Sequence, residues 1–295
     1  MRIRIGTRRS RLALAQASEV AELLGGSGHE AELVPMTTAG DRGAPAEASP
    51  QGTKGLFVAE ITEALLTGDV DLAVHSAKDL PSDDPEGVVV AAVPRRSLPY
   101  DVLATATAGF DEEGTVGTSS LRRQAQLLRA YPSARVVPFR GNVDTRLRKL
   151  RQGEVDAVVL AAAGLDRLGG RPAHAEPIPV DVMVPAPGQG ALAVQARAED
   201  AVAEAVASLD HASSRRAFEV ERALVSALGG GCRLPLGAYA EARSGVVRLL
   251  AVVARPDGSE LLRAEVEGDD PGEVATHAAE QLRAAGADAI LREAS

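Results

Sequence analysis

Asp71-Leu-Ala-Val-His-Ser-Ala-Lys-Asp-Leu-Pro-Ser82 runs from an apolar segment into a Lys78–Asp79 pair and is then stopped by Pro81. The apolar residues Val70–Val74 lie between polar turn residues, the pattern of a strand buried on both faces of a sheet. Pro81 keeps the chain from continuing as helix. The Lys–Asp pair therefore falls at the mouth of a strand, which is where open α/β sheets bind ligands. An aspartate there is either a working carboxylate or a turn residue that hydrogen-bonds its own backbone. Two further segments weigh towards the first reading: Val116-Gly-Thr-Ser-Ser-Leu-Arg-Arg-Gln124 and Gly229-Gly-Gly-Cys-Arg-Leu-Pro235.

Outward from this strand, the first part of the chain reads βαβαβ. Residues 2–6 alternate as a strand, Ser10–Leu24 carries a helical apolar stripe, and Ala31–Thr37 is a second strand. Leu56–Leu66 is a helix, and Val88–Val93 follows Val70–Val74 as another strand. Between these, Ala39–Gly55 is rich in Gly, Pro, Ala and Ser without periodicity, which suggests a mobile lid. A second unit repeats the pattern: strand 115–118, a helix capped at Ser119 or Ser120, strand Arg135–Val137, helix Asn142–Leu150 and buried strand Asp156–Leu160. Val184-Pro-Ala-Pro-Gly-Gln-Gly190 reads as a semi-rigid linker crossing back to the first unit.

The third part groups its strands together. After a helix near 211–228 come Leu236–Glu241, Val246–Ala254 and Glu260–Val266, then a closing helix with Asp270 as N-cap, Pro271 in its first turn and Gly286 as stop. The expected fold class is α/β, with two βα domains joined by a double crossover like that of periplasmic binding proteins and forming a cleft. A C-terminal α+β domain with a three-stranded antiparallel sheet completes it. The expected boundaries are 1–94 with 187–208, 99–184, and 212–295, the last carrying the Cys232 loop.

A chain of 295 residues has room for these domains, and 45% apolar with 25% charged residues is ordinary for a soluble protein. No run approaches the ~18 apolar residues of a membrane span. The N-terminus opens directly as a strand without the apolar core of a signal peptide, so a cytoplasmic protein is expected. One cysteine excludes an intramolecular disulfide and a Cys-rich zinc site, the five histidines are scattered, and no metal site is expected. No phosphate-binding G-x-x-x-x-G-K-[ST] run is present, and Gly25-Gly-Ser-Gly28 follows a helix instead of a strand.

The net charge of −9 argues against general nucleic-acid binding. Its distribution is more informative. Lys54, Lys78 and Lys149 are the only lysines; the other basic residues are arginines, concentrated in residues 1–11 and 115–151. Asp144 is the sole acid of the latter stretch. Guanidinium forks pair bidentately with carboxylates and phosphates, so such clusters in an acidic protein fit a ligand rich in those groups. Arg148, Lys149 and Arg151 read as a solvated helix face. Arg122, Arg123, Arg140 and Arg146 fit that reading less well, because they sit near helix starts, where the dipole disfavours cations. Pattern alone thus reaches an anion-binding cleft with an acid in it.

At these residues the chain closely resembles the hydroxymethylbilane synthase (porphobilinogen deaminase) family. The resemblance runs nearly the full length, in order. It is carried by Gly6-Thr-Arg-Arg-Ser-Arg-Leu-Ala-Leu-Ala-Gln16, Lys54-Gly-Leu-Phe-Val58, His75-Ser-Ala-Lys-Asp-Leu-Pro81 and Val116-Gly-Thr-Ser-Ser-Leu-Arg-Arg-Gln124. Arg140-Gly-Asn-Val-Asp-Thr-Arg146, Ala186-Pro-Gly-Gln-Gly-Ala191 and Gly229-Gly-Gly-Cys232 complete it.

The resemblance implies a transferase of tetrapyrrole and heme biosynthesis. It would join four porphobilinogen molecules head to tail with loss of ammonia, then release the linear tetrapyrrole by hydrolysis. It implies a dipyrromethane cofactor held by a thioether to Cys232. Lys78, Ser120, Arg122, Arg123, Arg146 and Asp79 would bind that cofactor, and Arg8, Ser10, Phe57, Arg140 and Arg167 the substrate. Asp79 would be the catalytic carboxylate, steadying the cation left when ammonia departs and moving protons. His75 is expected to be structural. A small-molecule substrate and a monomer are implied, with no nucleic-acid or membrane partner. Two departures stand out: Ala59, where relatives often carry lysine, and Asp144, an acid where small or neutral residues are common. The competing readings are a non-catalytic two-lobed anion-binding protein, in which Cys232 would have no role, and an RNA-binding protein, which 2% aromatic content disfavours.

Overall fold

Arg2–Arg8 (β1) forms the chain's first strand because Ile3 and Ile5 both bury completely on one face of it. The computed structural model describes residues 1–42, 52–229 and 234–294, with the backbone alone for 52–57. Helix α1 (Arg11–Gly26) starts at Ser10, whose hydroxyl accepts from the Ala13 amide, and buries Ala17, Val20 and Leu24 against the sheet. Then come β2 (Glu30–Met36), α2 (Gly52–Thr67), β3 (Leu72–Ser76) and β4 (Val88–Ala92). Strand β3 begins two residues later than the apolar pattern suggests. A single tight helical turn, Ala77–Asp79, follows it directly. Gly52–Gly55, expected as loop, is helical backbone. The rest of the expected lid, from Gly43 to Gln51, lies outside the described residues.

The second unit is built alike: β5 (Asp101–Thr105), β6 (Thr115–Gly117), α3 (Leu121–Ala130), β7 (Arg135–Val137), α4 (Val143–Arg151), β8 (Ala157–Ala161), α5 (Ala162–Arg167) and β9 (Ala175–Pro177). Strand β10 (Leu192–Arg197) returns to the first sheet. The two five-stranded sheets have orders β2-β1-β3-β10-β4 and β7-β6-β8-β5-β9. In each, the fourth strand runs antiparallel to its neighbours and is supplied by a crossing segment. This is the expected double crossover. Strands β5 and β9, and the role of β10, were not legible from periodicity.

The third unit holds α7 (Ala212–Ala227), after a short α6 (Ala201–Val206), and the antiparallel strands β11 (Leu236–Arg243), β12 (Val246–Ala254) and β13 (Leu261–Gly268). Helix α8 (Pro271–Ala284) has the expected Asp270 cap, with the Glu273 amide donating to its carboxylate. Val220, Leu224, Leu249, Val253 and Leu282 form the core between this sheet and its helices. Gly286, at φ +106°, does stop α8, but the chain then forms α9 (Ala287–Ala294), which buries Ile290 and Leu291. The closing helix is therefore a helical pair.

Candidate active site

The turn Ala77–Asp79 presents its side chains where β3 ends. Asp79 lines a small pocket together with Arg8, Ser10, Gln16, His75 and Ser76. Among the described residues the Asp79 side chain makes no hydrogen bond or ion pair, leaving its carboxylate available. Gln16 donates to the Ser76 hydroxyl at 2.6 Å, which leaves the Ser76 proton free to point elsewhere. His75 is buried, its Nε2 has no partner, and burial together with the Arg8 charge pulls its pKa down to about 4. It is thus a neutral imidazole at neutral pH on the wall of the pocket.

Arg8 reaches Asp41 on the segment after β2 through Nε and Nη2. Burial works to raise the Asp41 pKa, but hydrogen bonds from Arg8 and Thr38 outweigh it and keep the carboxyl below its ordinary range. The return crossing segment presses on the turn from the other side. Gly188 has φ +76°, and a Cβ there would lie 2.8 Å from the Lys78 amide nitrogen. Only glycine lets the two backbones approach so closely.

Beside this pocket lies a group of charges that the sequence placed in one segment and the fold gathers around one carboxylate. Asp101, the first residue of β5, is fully buried. Its carboxylate accepts from Arg122 Nη2 at 2.8 Å, Arg123 Nη2 at 2.7 Å and Gln189 Nε2 at 2.9 Å. Burial alone would raise its pKa; the two guanidiniums outweigh that and hold it well below the carboxylate range. Arg122 also donates to the Val184 carbonyl, and Arg123 to that of Val159. Arg123 Nε is buried without a partner. Ser120 caps α3, accepting from the Arg123 amide. Asp101 was missed in the sequence because nothing marks a lone acid at the start of a short strand, 21 positions from its partner.

Lys78 couples the two halves of the site. Burial lowers its pKa, opposed by Asp79, and Arg123 and Arg122 are close enough to lower it further. Arg146, on the first turn of α4, donates Nε to the Gly141 carbonyl and has no carboxylate partner among the described residues. Burial, then repulsion from Arg123, pull its pKa down to about 10. Arg140 is exposed at the end of the preceding loop. Arg167 lies apart from these: its guanidinium pairs with Glu19 of α1 at 2.8 Å and reaches the Gly190 carbonyl. Asp144 bonds Arg11 of α1 at 2.6 Å, so both pairs bridge the two sheet units. Cys232 and the Phe57 side chain lie outside the described residues.

The third unit grips the same crossing region. Glu221 of α7, fully buried, accepts from Arg96 Nη1 at 2.6 Å, the Gly188 amide at 2.6 Å and the Ala240 amide at 2.7 Å. Both crossing segments are thereby fastened to one helix. The arrangement is chemically plain: a carboxylate unpaired among the described residues in a pocket, a run of desolvated cations beside it, and a glycine-mediated contact fixing the turn between them.

The family model described as porphobilinogen deaminase, dipyromethane cofactor binding domain, matches residues 3–205. The model for the porphobilinogen deaminase C-terminal domain matches residues 216–284. A porphobilinogen deaminase from Rubrobacter xylanophilus is 48% identical over 295 residues, covering 98% of this chain and 96% of the relative. One from Desulforudis audaxviator is 47% identical over 296 residues, covering 97% and 96%. Among solved structures, the second substrate binding domain of a putative amino acid ABC transporter from Streptococcus pneumoniae aligns at 14% identity with a TM-score of 0.41, covering 77% of this chain and 94% of that one. Two family models together spanning most of the sequence, and relatives of this identity along its length, leave one assignment: the chain belongs to the porphobilinogen deaminase family.

Proposed function

We propose that Asp79 is the carboxylate on which this chain performs the reaction of its family. That reaction is the head-to-tail condensation of four porphobilinogen molecules with loss of ammonia, followed by hydrolytic release of the linear tetrapyrrole. The observation that carries the assignment is a carboxylate, unpaired among the described residues, lining the pocket that Arg8 and Ser10 also line. Beside it, Lys78, Arg123 and Arg146 are desolvated cations in electrostatic contact. Each porphobilinogen brings an acetate and a propionate, so the site must hold growing negative charge, and guanidiniums do so best where water is excluded.

The donor set fits a dipyrromethane. The group is a polycarboxylate, and among the described residues Arg123 Nε is buried without a partner and Arg146 has no acid of its own. Cys232, Lys78, Ser120, Arg122, Arg123 and Arg146 would hold it, with Cys232 making the thioether. When bound, the dipyrromethane supplies the fixed end to which pyrrole rings are joined. Arg8, Ser10, Phe57, Arg140 and Arg167 would serve the incoming substrate, Arg8 and Ser10 directly from the pocket wall. Asp79 accepts the pyrrole N–H and stabilises positive charge as the protonated amine leaves. It then takes up the proton released when the ring regains aromaticity.

In this reading the working units are residues 1–94 with 187–208, 99–184, and 212–295. No described helix is long and apolar enough to cross a membrane. We assign a cytoplasmic, monomeric enzyme acting on a small molecule. The test is direct. Purified protein should exceed its sequence mass by two pyrrole units, and Cys232→Ser should remove the excess. Asp79→Asn should keep the excess and the fold while turnover of porphobilinogen falls at least ~10²-fold. An Asn variant turning over near the wild-type rate would move the role to another residue.

A further inference from the structure

Arg222 is the residue after Glu221 on α7, and it faces the segment that follows Asp79. Its Nη1 and Nη2 bond Asp84 Oδ2 and Oδ1 at 2.8 and 3.0 Å, a bidentate fork. Its Nε donates to the Pro81 carbonyl at 3.2 Å, two residues beyond Asp79. The guanidinium lies 5.6 Å from the centre of the Phe218 ring, one turn back on the same helix. Asp84 is held from behind as well, because Gln195 of β10 donates to its Oδ1 at 2.9 Å. Both side chains of the pair are mostly buried, at 18% and 25% exposure.

These contacts do more than join two units. Pro81 and Asp84 bracket a short stretch with no regular structure, directly downstream of the turn that carries Lys78 and Asp79. On the upstream side the same turn is pressed by Gly188, whose amide donates to Glu221. Two consecutive residues of one helix therefore hold the catalytic turn between them, Glu221 through Gly188 and Arg222 through Pro81 and Asp84. A guanidinium suits this task because one planar group makes three directed bonds, where an ammonium is a point charge on a flexible stem.

We propose that Arg222, acting with Asp84, is a positioning residue for Asp79: the pair fixes the 77–84 turn against α7 so that the carboxylate meets the reacting ring. The proposal rests on the assignment of Asp79 as the working carboxylate. Arg222 and Asp84 themselves need touch neither substrate nor cofactor. Displacing a reacting group by about 1 Å can cost ~10²-fold in rate, so loss of the clamp should appear in kcat while substrate binding, governed by the arginines, is kept.

The experiment compares wild type, Arg222→Leu, Arg222→Lys, Asp84→Asn and the Arg222→Lys/Asp84→Asn double variant, each as the full chain. Intact mass should show the covalent cofactor in all of them. Arg222→Leu should lower kcat ~10–100-fold with KM within about twofold of wild type. The Lys variant should fall between, since it keeps a charge opposite Asp84 but loses the bond to Pro81. The double variant should be no slower than the slower single variant, as expected for residues acting as one unit. A second readout needs no turnover. Amide exchange at Leu80, which donates to the Ala77 carbonyl, should quicken ~10-fold in Arg222→Lys made in the Cys232→Ser background.

Should Arg222→Leu fail to fold, the two conservative variants decide. A kcat within twofold of wild type in both, additive losses in the double variant, or a loss of bound cofactor in place of rate would each overturn the clamp. A wild-type protein that does not condense porphobilinogen would instead overturn the assignment of function, so the two failures are told apart.

Discussion

Replacing Asp101 by Asn tests whether the buried charge cluster at the start of β5 is as tightly balanced as its geometry indicates. The substitution keeps the shape of the side chain and removes its charge. Arg122 and Arg123 would then have the Val184 and Val159 carbonyls and one shared amide oxygen but no counter-charge, in a site where the two guanidinium side chains are 5% and 9% exposed. Breaking a buried pair by removing one partner costs ~3–5 kcal/mol, because the partner's charge stays behind unpaired. At ~2–4 °C per kcal/mol for a domain of this size, the unfolding midpoint should fall by roughly 6–20 °C. Calorimetry at pH 7 measures it, with Glu265→Gln as control. That residue pairs with Arg248 across the outer sheet, at 41% and 63% exposure, and an exposed pair contributes ~0–1 kcal/mol.

The dependence on pH follows from the sign of the shift. The folded Asp101 pKa is lowered, so its contribution is fully present above the unfolded value of ~3.9 and is lost as pH falls towards the folded one. The gap between wild type and Asp101→Asn should therefore be constant from pH 7 to 5 and narrow below about 4. A midpoint shift no larger than that of Glu265→Gln would refute the reasoning, since the two arginines would then have found other partners without cost.

Gly188→Ala should lower both stability and kcat, because the new methyl would sit 2.8 Å from the Lys78 amide and 2.9 Å from the Ala77 carbonyl carbon, at a φ that alanine disfavours; steady-state kinetics beside thermal unfolding would expose a purely local effect as wrong. His75 is held neutral with a pKa of about 4, below the ordinary ~6.5, so the unfolded chain binds its proton first and stability should drop as pH falls from 6.5 towards 4. The slope from this one group should be ~1.4 kcal/mol per pH unit, and urea unfolding of wild type and His75→Asn at pH 7, 6 and 5 should show it disappear in the variant.

Much of the architecture was legible because its signals are local. Ser10, Ser120, Asn142 and Asp270 each cap the helix that follows, and each is a residue whose short oxygen-bearing side chain competes well for free amides. The buried strands of both sheets announced themselves as apolar runs. What stayed hidden lacks a local signal. Strand β5 is five residues between a proline-flanked crossing and an irregular loop with Gly109 and Gly114, and its place is set by pairing with β8, far along the chain. Helix α9 is short and follows a glycine that also reads as an end. Its stability comes from burying Ile290 and Leu291 on the third core, which no window of its own sequence reveals.

The arginines show where sequence reading reaches its physical limit. Their number and clustering point to an anionic ligand, but not to which of them face it, because that depends on which acids the fold brings near. Arg122 gives its charge to Asp101, Arg167 to Glu19 and Arg96 to Glu221, at sequence separations of 21, 148 and 125. Glu19 and Glu221 lie at junctions between units, and Asp101 meets the crossing segment through Gln189, so these acids hold the sheet units and crossing segments in place. Arg146 stands at the other extreme: desolvated, repelled by Arg123 and matched by no acid among the described residues. A cation left in that state costs the folded protein stability that an anion would restore on binding. Arg146 thus keeps its positive field because the acids that the fold brings to the neighbouring arginines are placed elsewhere, at Asp101, Glu19 and Glu221.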